Sequence, residues 1–111
     1  MKSEITIVIS EDFSKFPGLR YESLTAGCSG EKFRDELLIP AFDKAKKVRV
    51  VLDGIEGVYG SGFLEEVFGG LIRKIGLAWN GRLIIISNKD PKLQKDIDNY
   101  MAEAMNNYEK K

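Results

Sequence analysis

Apolar and polar positions along the chain follow two periods, and these divide it into elements. Glu4-Ile5-Thr6-Ile7-Val8-Ile9-Ser10 is dense in β-branched residues and stops at Glu11-Asp12, which predicts a strand with one well-buried face. From Phe13 to Gly30 the turn signals Pro17-Gly18 and Gly27-Cys28-Ser29-Gly30 bracket Leu19 to Thr25, a candidate short second strand. Between Glu31 and Lys46, Phe33, Leu37, Leu38, Phe42 and Ala45 recur at helical spacing. Ser29 is placed to cap that helix, and Pro40 inside it is expected to kink or split it.

Lys47-Val48-Arg49-Val50-Val51-Leu52-Asp53 reads as the next strand, followed by a loop from Gly54 to Gly60. A second helix is expected from Ser61 as N-cap, burying Phe63, Leu64, Val67, Phe68, Leu71 and Ile72 and ending at Gly76. Gly69-Gly70 within it costs roughly 1 kcal/mol per glycine relative to alanine, so a close approach to the sheet or to a partner is expected there. Arg82-Leu83-Ile84-Ile85-Ile86-Ser87 predicts a further strand, and Asp90-Pro91 a helix start with Asp as cap. The last helix runs towards Tyr108, with Leu93, Ile97, Tyr100, Met101, Ala104 and Met105 on its apolar side and Asn106 to Lys111 polar enough to fray.

This order predicts a single α/β domain over residues 1–111. It has a mostly parallel central sheet of about four strands, about three helices and an antiparallel edge strand in the turn-rich segment. With 111 residues and 43% hydrophobic content, the chain carries enough apolar material for one core. Its 17 basic and 17 acidic residues cancel, so net charge offers no reason to bind nucleic acid or an anionic membrane. There is no histidine, which excludes Ser-His-Asp and Cys-His nucleophile systems and a His general base. The single cysteine, Cys28, forms neither an intramolecular disulfide nor a metal cluster, and no signal peptide or long apolar run is present. A cytoplasmic protein without cofactor or metal is the expectation.

In open α/β sheets ligands gather at the carboxyl ends of the strands. There the chain carries Glu11-Asp12, the loop Asp53 to Ser61, and Ser87 to Asp90. The richest is Asp53-Gly54-Ile55-Glu56-Gly57-Val58-Tyr59-Gly60-Ser61-Gly62-Phe63, whose helix N-terminus favours an anion, either a phosphate on Ser61 or a bound ligand. The plainer reading makes Ser61 a cap and the glycines a turn. Tyr59 and Phe63 stand where a GxSxG elbow needs glycine, and neither a P-loop nor GxGxxG is present. A receiver-like phospho-aspartate site would gather Glu11, Asp12, Asp53, Ser87 and Lys89 around Mg²⁺, but a receiver needs about five strand-helix units. Arg20, Arg34 and Ser29 would form a small anion pocket if the turn-rich segment folded over the helix start, and are otherwise a solvated surface.

Three blocks, Phe16-Pro17-Gly18-Leu19-Arg20, Ser29 to Pro40 (SGEKFRDELLIP) and Ser61 to Leu71 (SGFLEEVFGGL), together resemble the STAS-like domain of unknown function, a relative of the anti-sigma factor antagonists. The resemblance implies a STAS-like fold and a signalling role without catalysis. In the antagonists, a serine at the start of the helix after a central strand is phosphorylated by a histidine-kinase-like ATPase acting as a serine kinase, and the phosphate breaks the complex. Their Asp-Ser-Ser-Gly sequence corresponds here to Tyr59-Gly60-Ser61-Gly62, so Ser61 matches the second serine and Gly60 the usual phosphoacceptor.

The leading expectation is therefore a non-catalytic interaction module. It binds such a partner through Ser61, its loop (Asp53, Glu56, Tyr59, Gly60, Gly62) and its helix, with Glu65 and Glu66 as polar contacts. The alternative is a sensor that holds a nucleotide or other anion at the Asp53–Ser61 loop. Self-association through a sheet edge or the Phe68–Leu71 region is compatible with either.

Overall fold

The computed structural model describes residues 2–109. Three parallel strands, β1 (Lys2–Val8), β2 (Ala45–Val51) and β3 (Leu83–Ile86), form one open sheet in the order β1-β2-β3. Helix α1 (30–44) joins β1 to β2, helix α2 (61–75) joins β2 to β3, and α3 (Lys92–Glu109) follows. Successive crossovers of one hand, each stepping to the next strand, place α1 and α2 on the same face of the sheet. There α2 lies between α1 and α3.

The strands differ from expectation in number and in their ends. Among the described residues there are three rather than four, because Leu19 to Thr25 forms turns and bends instead of an edge strand. That segment takes its hydrogen bonds locally: Gly18 N–H donates to Cys28 O at 2.8 Å, Leu19 N–H to Thr25 Oγ1 at 2.9 Å and Gly30 N–H to Leu19 O at 2.9 Å. Side-chain acceptors of this kind compete with a sheet ladder. β1 ends at Val8, and Ile9–Phe13 coils into one wide π-type turn whose start is held by Asp12, which accepts from Val8 N–H at 2.7 Å.

The core lies between the sheet and the helices. Ile7, Ile9, Val48, Val50 and Leu52 point into it, against Phe33, Leu38 and Phe42 of α1, Phe63, Leu64, Val67, Phe68, Leu71 and Ile72 of α2, and Ile97, Met101 and Ala104 of α3. Alternation along the strands sends Glu4, Thr6 and Val8, Lys47, Arg49 and Val51, and Ile84 and Ile86 to the other face, where none belongs to the core. Arg82 closes the bottom: its guanidinium donates to the carbonyls of Lys46, Phe42, Ala45 and Ala78 at 2.7–2.9 Å and stacks on Phe42.

Pro40 does not split α1. The helix widens to a π turn over Arg34–Leu38, in which Ile39 N–H reaches back five residues to Arg34 O, and Pro40 enters at the start of the next α-helical turn. A wide turn shifts the ladder at the point where the proline ring would meet the carbonyl four residues earlier. Gly76, at φ +62°, ends α2 as expected, and Asp90 caps α3 by accepting from Lys92 N–H at 3.2 Å. Helix α3 stays helical through Glu109, past the point where fraying was expected, while Lys110 and Lys111 lie outside the described residues. No helix among the described residues is long and apolar enough to cross a membrane.

Candidate functional site

The loop from Asp53 to Gly60 leaves the carboxyl end of β2 and feeds α2. Asp53 sits at its root, where one carboxylate oxygen accepts from Asn88 N–H at 3.0 Å and the other from Lys89 N–H at 2.9 Å. It is a strap between the β2 and β3 loops rather than a free nucleophile or metal ligand. Among the described residues no three acidic or cysteine side chains gather to hold a metal, so Glu11 and Asp12 do not join Asp53 in a receiver-like site. Tyr59 is a second strap: its hydroxyl donates to Leu52 O at 2.7 Å and its ring lies 5.8 Å from that of Phe63. Burial, with the Asp53 charge adding to it, pushes the Tyr59 phenol well above its ordinary range. Glu56 and Gly60 are exposed.

Ser61 is not the N-cap. Gly60 occupies that position, with extended dihedrals (φ −76°, ψ 148°), and Ser61 is already the first helical residue. A capping side chain must come from the extended residue that precedes the helix. The Ser61 hydroxyl is thus left exposed, and the first turn of α2 has no side-chain acceptor.

The second loop at this end, Ser14 to Ser29, does fold over the start of α1, with Glu31 N–H donating to Arg20 O at 3.0 Å. It is pinned from within by Glu22, whose carboxylate accepts from Gly27 N–H and from Ser29 Oγ at 2.7 Å. Ser29, fully buried, caps α1 by accepting from Lys32 N–H at 3.0 Å. The two loops meet where Glu56 N–H donates to Lys15 O at 2.7 Å. These two loops carry Phe16, Leu19, Tyr21, Leu24 and Val58, five of the seven large apolar residues exposed among those described. Val58 is 86% and Phe16 68% exposed.

Arg20 and Arg34 form no anion pocket, because α2 supplies the anions. Arg34, 3% exposed, pairs with the Glu66 carboxylate, donates to Glu66 O at 3.1 Å, and reaches Asp35 at 2.8 Å. Arg20 pairs with Glu65 and Arg73 binds the same carboxylate at 2.6 Å. Glu65 and Glu66, expected as polar contacts for a partner, are therefore tied to the domain's own arginines, and Glu66 is 8% exposed.

The glycine pair makes room for this network. A methyl group on Gly70 would stand 2.5 Å from Arg34 Nη1, and one on Gly69 would overlap the Glu65 carboxylate. The π turn over Glu65–Gly69 sends Gly70 N–H to Glu65 O, and the Glu66 carbonyl accepts from Arg34. The close approach expected at Gly69-Gly70 is thus to arginine and carboxylate side chains, not to the sheet. The signal in the sequence was Glu65-Glu66 exactly one turn before Gly69-Gly70, with no partner visible until α1 is laid alongside.

A pocket of about 140 Å³ opens between the Asp53 loop and the loop from Ser87 to Asp90, with Val58 in its wall. Neither Gly60 nor Ser61 lines it.

A model of the STAS-like domain of unknown function (DUF4325) matches residues 29–93, more than half of the chain. The chain belongs to this family. The STAS-like match starts at Ser29, the cap of α1, and ends at Leu93 in the first turn of α3, so the Phe16 to Arg20 block lies outside it. It takes in the α1 and α2 halves of the ion-pair network and both straps of the Asp53 loop, while Arg20 reaches the network from outside. No curated protein and no solved structure matches the chain.

Proposed function

We propose that this STAS-like domain is a regulatory protein-interaction module without catalysis of its own. It binds a histidine-kinase-like ATPase or serine kinase at the end where the two loops meet, and phosphate on Ser61 releases the partner. The observation that carries this reading is that the two loops at this end expose five large apolar side chains, Val58, Phe16, Leu19, Leu24 and Tyr21, and that one of these loops leads into a free serine hydroxyl at the start of α2. Contiguous exposed apolar surface rimmed by polar residues marks interaction sites.

The physics of release is direct. A phosphoserine adds roughly −1.5 to −2 charges at neutral pH. At the first residue of α2 the domain itself tolerates that charge, because the helix N-terminus favours anions. An apolar partner surface closing over the same point does not. The buried network beneath keeps α1, α2 and the Arg20 loop in fixed relation, so the surface is presented preformed.

The test is affinity capture of the tagged chain from its own cells, read by mass spectrometry for co-purifying proteins and for the Ser61 peptide. Wild type and Ser61→Ala recover the ATPase, whereas Ser61→Asp and Val58→Asp lose it with unchanged circular dichroism. Undiminished capture by Ser61→Asp removes the switch, and undiminished capture by Val58→Asp moves the interface elsewhere.

A further inference from the structure

We propose that the pocket between the Asp53 loop and the start of α3 is a socket for one apolar side chain of the partner, about the size of benzene, with a basic residue beside it. The inference rests on the interaction-module reading and specifies what the partner presents.

Size decides first. An engineered cavity of ~150 Å³ binds benzene, whereas sites for drug-sized ligands run to ~300–1,000 Å³. At about 140 Å³ the recess itself is filled by a single ring or branched aliphatic group.

The lining decides next. Its apolar walls are Leu52, Ile55, Val58, the Tyr59 ring and Leu93. Apart from the Lys89 ammonium, its polar side chains are already bonded within the domain. Both Asp53 oxygens hold backbone N–H groups, the Tyr59 hydroxyl donates to Leu52 O, and Ser87 Oγ donates to Asp90 O at 2.7 Å. A neutral polar ligand entering here would lose water and recover few hydrogen bonds from groups already paired, whereas an apolar side chain has none to lose.

Charge decides the neighbour. Asp53 and Asp90 outnumber Lys89 on the rim, which leaves one net negative charge. A phosphate or carboxylate is disfavoured at this rim relative to a cation. A lysine or arginine next to the anchor is attracted.

The experiment titrates the ¹⁵N-labelled full chain with benzyl alcohol, benzylamine and phenylacetate, and with the acetylated dipeptide amides Phe-Arg and Phe-Glu. Amide shifts are expected at Ile55, Val58, Ser87 and Leu93. Benzylamine should bind about fivefold more tightly than phenylacetate, as expected for one exposed charge contact of roughly 1 kcal/mol. The two peptides should follow the same order. Asp90→Asn, which still caps α3, should abolish the preference, and Leu93→Phe should abolish binding.

Absence of these shifts overturns the proposal, as does tighter binding of phenylacetate. Binding of the small probes with neither peptide would assign the pocket to a free metabolite instead. Because no partner protein is present, failure of the capture experiment alongside peptide binding here would reject the kinase partner and leave the socket standing.

Discussion

Arg34 and Glu66 are the pair on which most depends at the scale of single residues, because both are charged and buried between two helices. Removing one member of such a pair costs about 3–5 kcal/mol when the other is stranded, while replacing both with apolar groups of similar volume is often close to neutral. Glu66 keeps Arg20 at 3.3 Å and Arg73 at 3.7 Å, which sets Arg34→Ala at the lower end. Urea unfolding should therefore show Arg34→Ala losing stability in that range and Arg34→Met/Glu66→Leu losing clearly less. Equal losses would mean that the charges themselves, not their mutual satisfaction, hold the helices together. Gly70→Ala should also destabilise, because the added carbon meets both Arg34 Nη1 and Arg34 Cδ, at 2.5 and 3.1 Å. Gly60→Ala meets nothing within 4 Å and has ordinary dihedrals, so it should lose only the roughly 0.5–1 kcal/mol by which alanine is the poorer N-cap. A Gly70→Ala protein as stable as Gly60→Ala would show that the network has slack to move.

Among the elements, α1 carries the sharpest contrast between expectation and outcome. A proline in an unbroken helix interior costs ~3 kcal/mol or more, but the wide turn over Arg34–Leu38 already removes the clash. Pro40→Ala should accordingly raise stability by less than about 1 kcal/mol in the same assay, and a gain near the full penalty would show α1 to be strained. The period of apolar residues made all three helices and the three long strands legible, with shifted ends: β2 starts at Ala45 instead of Lys47 because Ala45 is already buried and paired with Lys2. The fourth strand was not legible as absent, since Leu19 to Thr25 has strand-like composition and its backbone is diverted by Thr25 Oγ1, by turns back to Tyr21 O and by bonds to the start of α1. Ser61 was correctly located at the start of α2, but a serine after an extended glycine is the first helical residue and not the cap. Glu66 read as surface because its partner Arg34 lies 32 residues away in sequence, and Glu65 because Arg20 lies 45 away, although Arg73 is only 8 away.

For the whole molecule, the ionic latch between the Arg20 loop and α2 sets a pH limit. Hydrogen bonds from Arg73, and then from Arg20, hold the Glu65 carboxyl below its ordinary value of 4.5 against the opposing effect of burial. Glu22 is likewise lowered, chiefly by the Gly27 N–H. A carboxylate whose folded value is depressed stabilises fully above its unfolded value, and loses that contribution as pH falls through the folded one. Thermal midpoints should therefore decline as pH drops below about 4.5, and Glu65→Gln should flatten that decline. Parallel curves for the two proteins would place the acid sensitivity elsewhere.

The order β1-β2-β3 also governs how the chain finds its fold. Every β1–β2 partner lies 43 positions apart, as Lys2 and Ala45 do, and every β2–β3 partner 35, as Val48 and Leu83 do. No hairpin shortens either search, so neither pairing can nucleate locally, and each must wait for a whole crossover to close. Such non-local topology predicts folding in milliseconds rather than microseconds. During synthesis β1 must stay unpaired until β2 emerges, and its residues Lys2, Glu4 and Thr6, which add nothing to the core, keep that waiting strand from sticking to others.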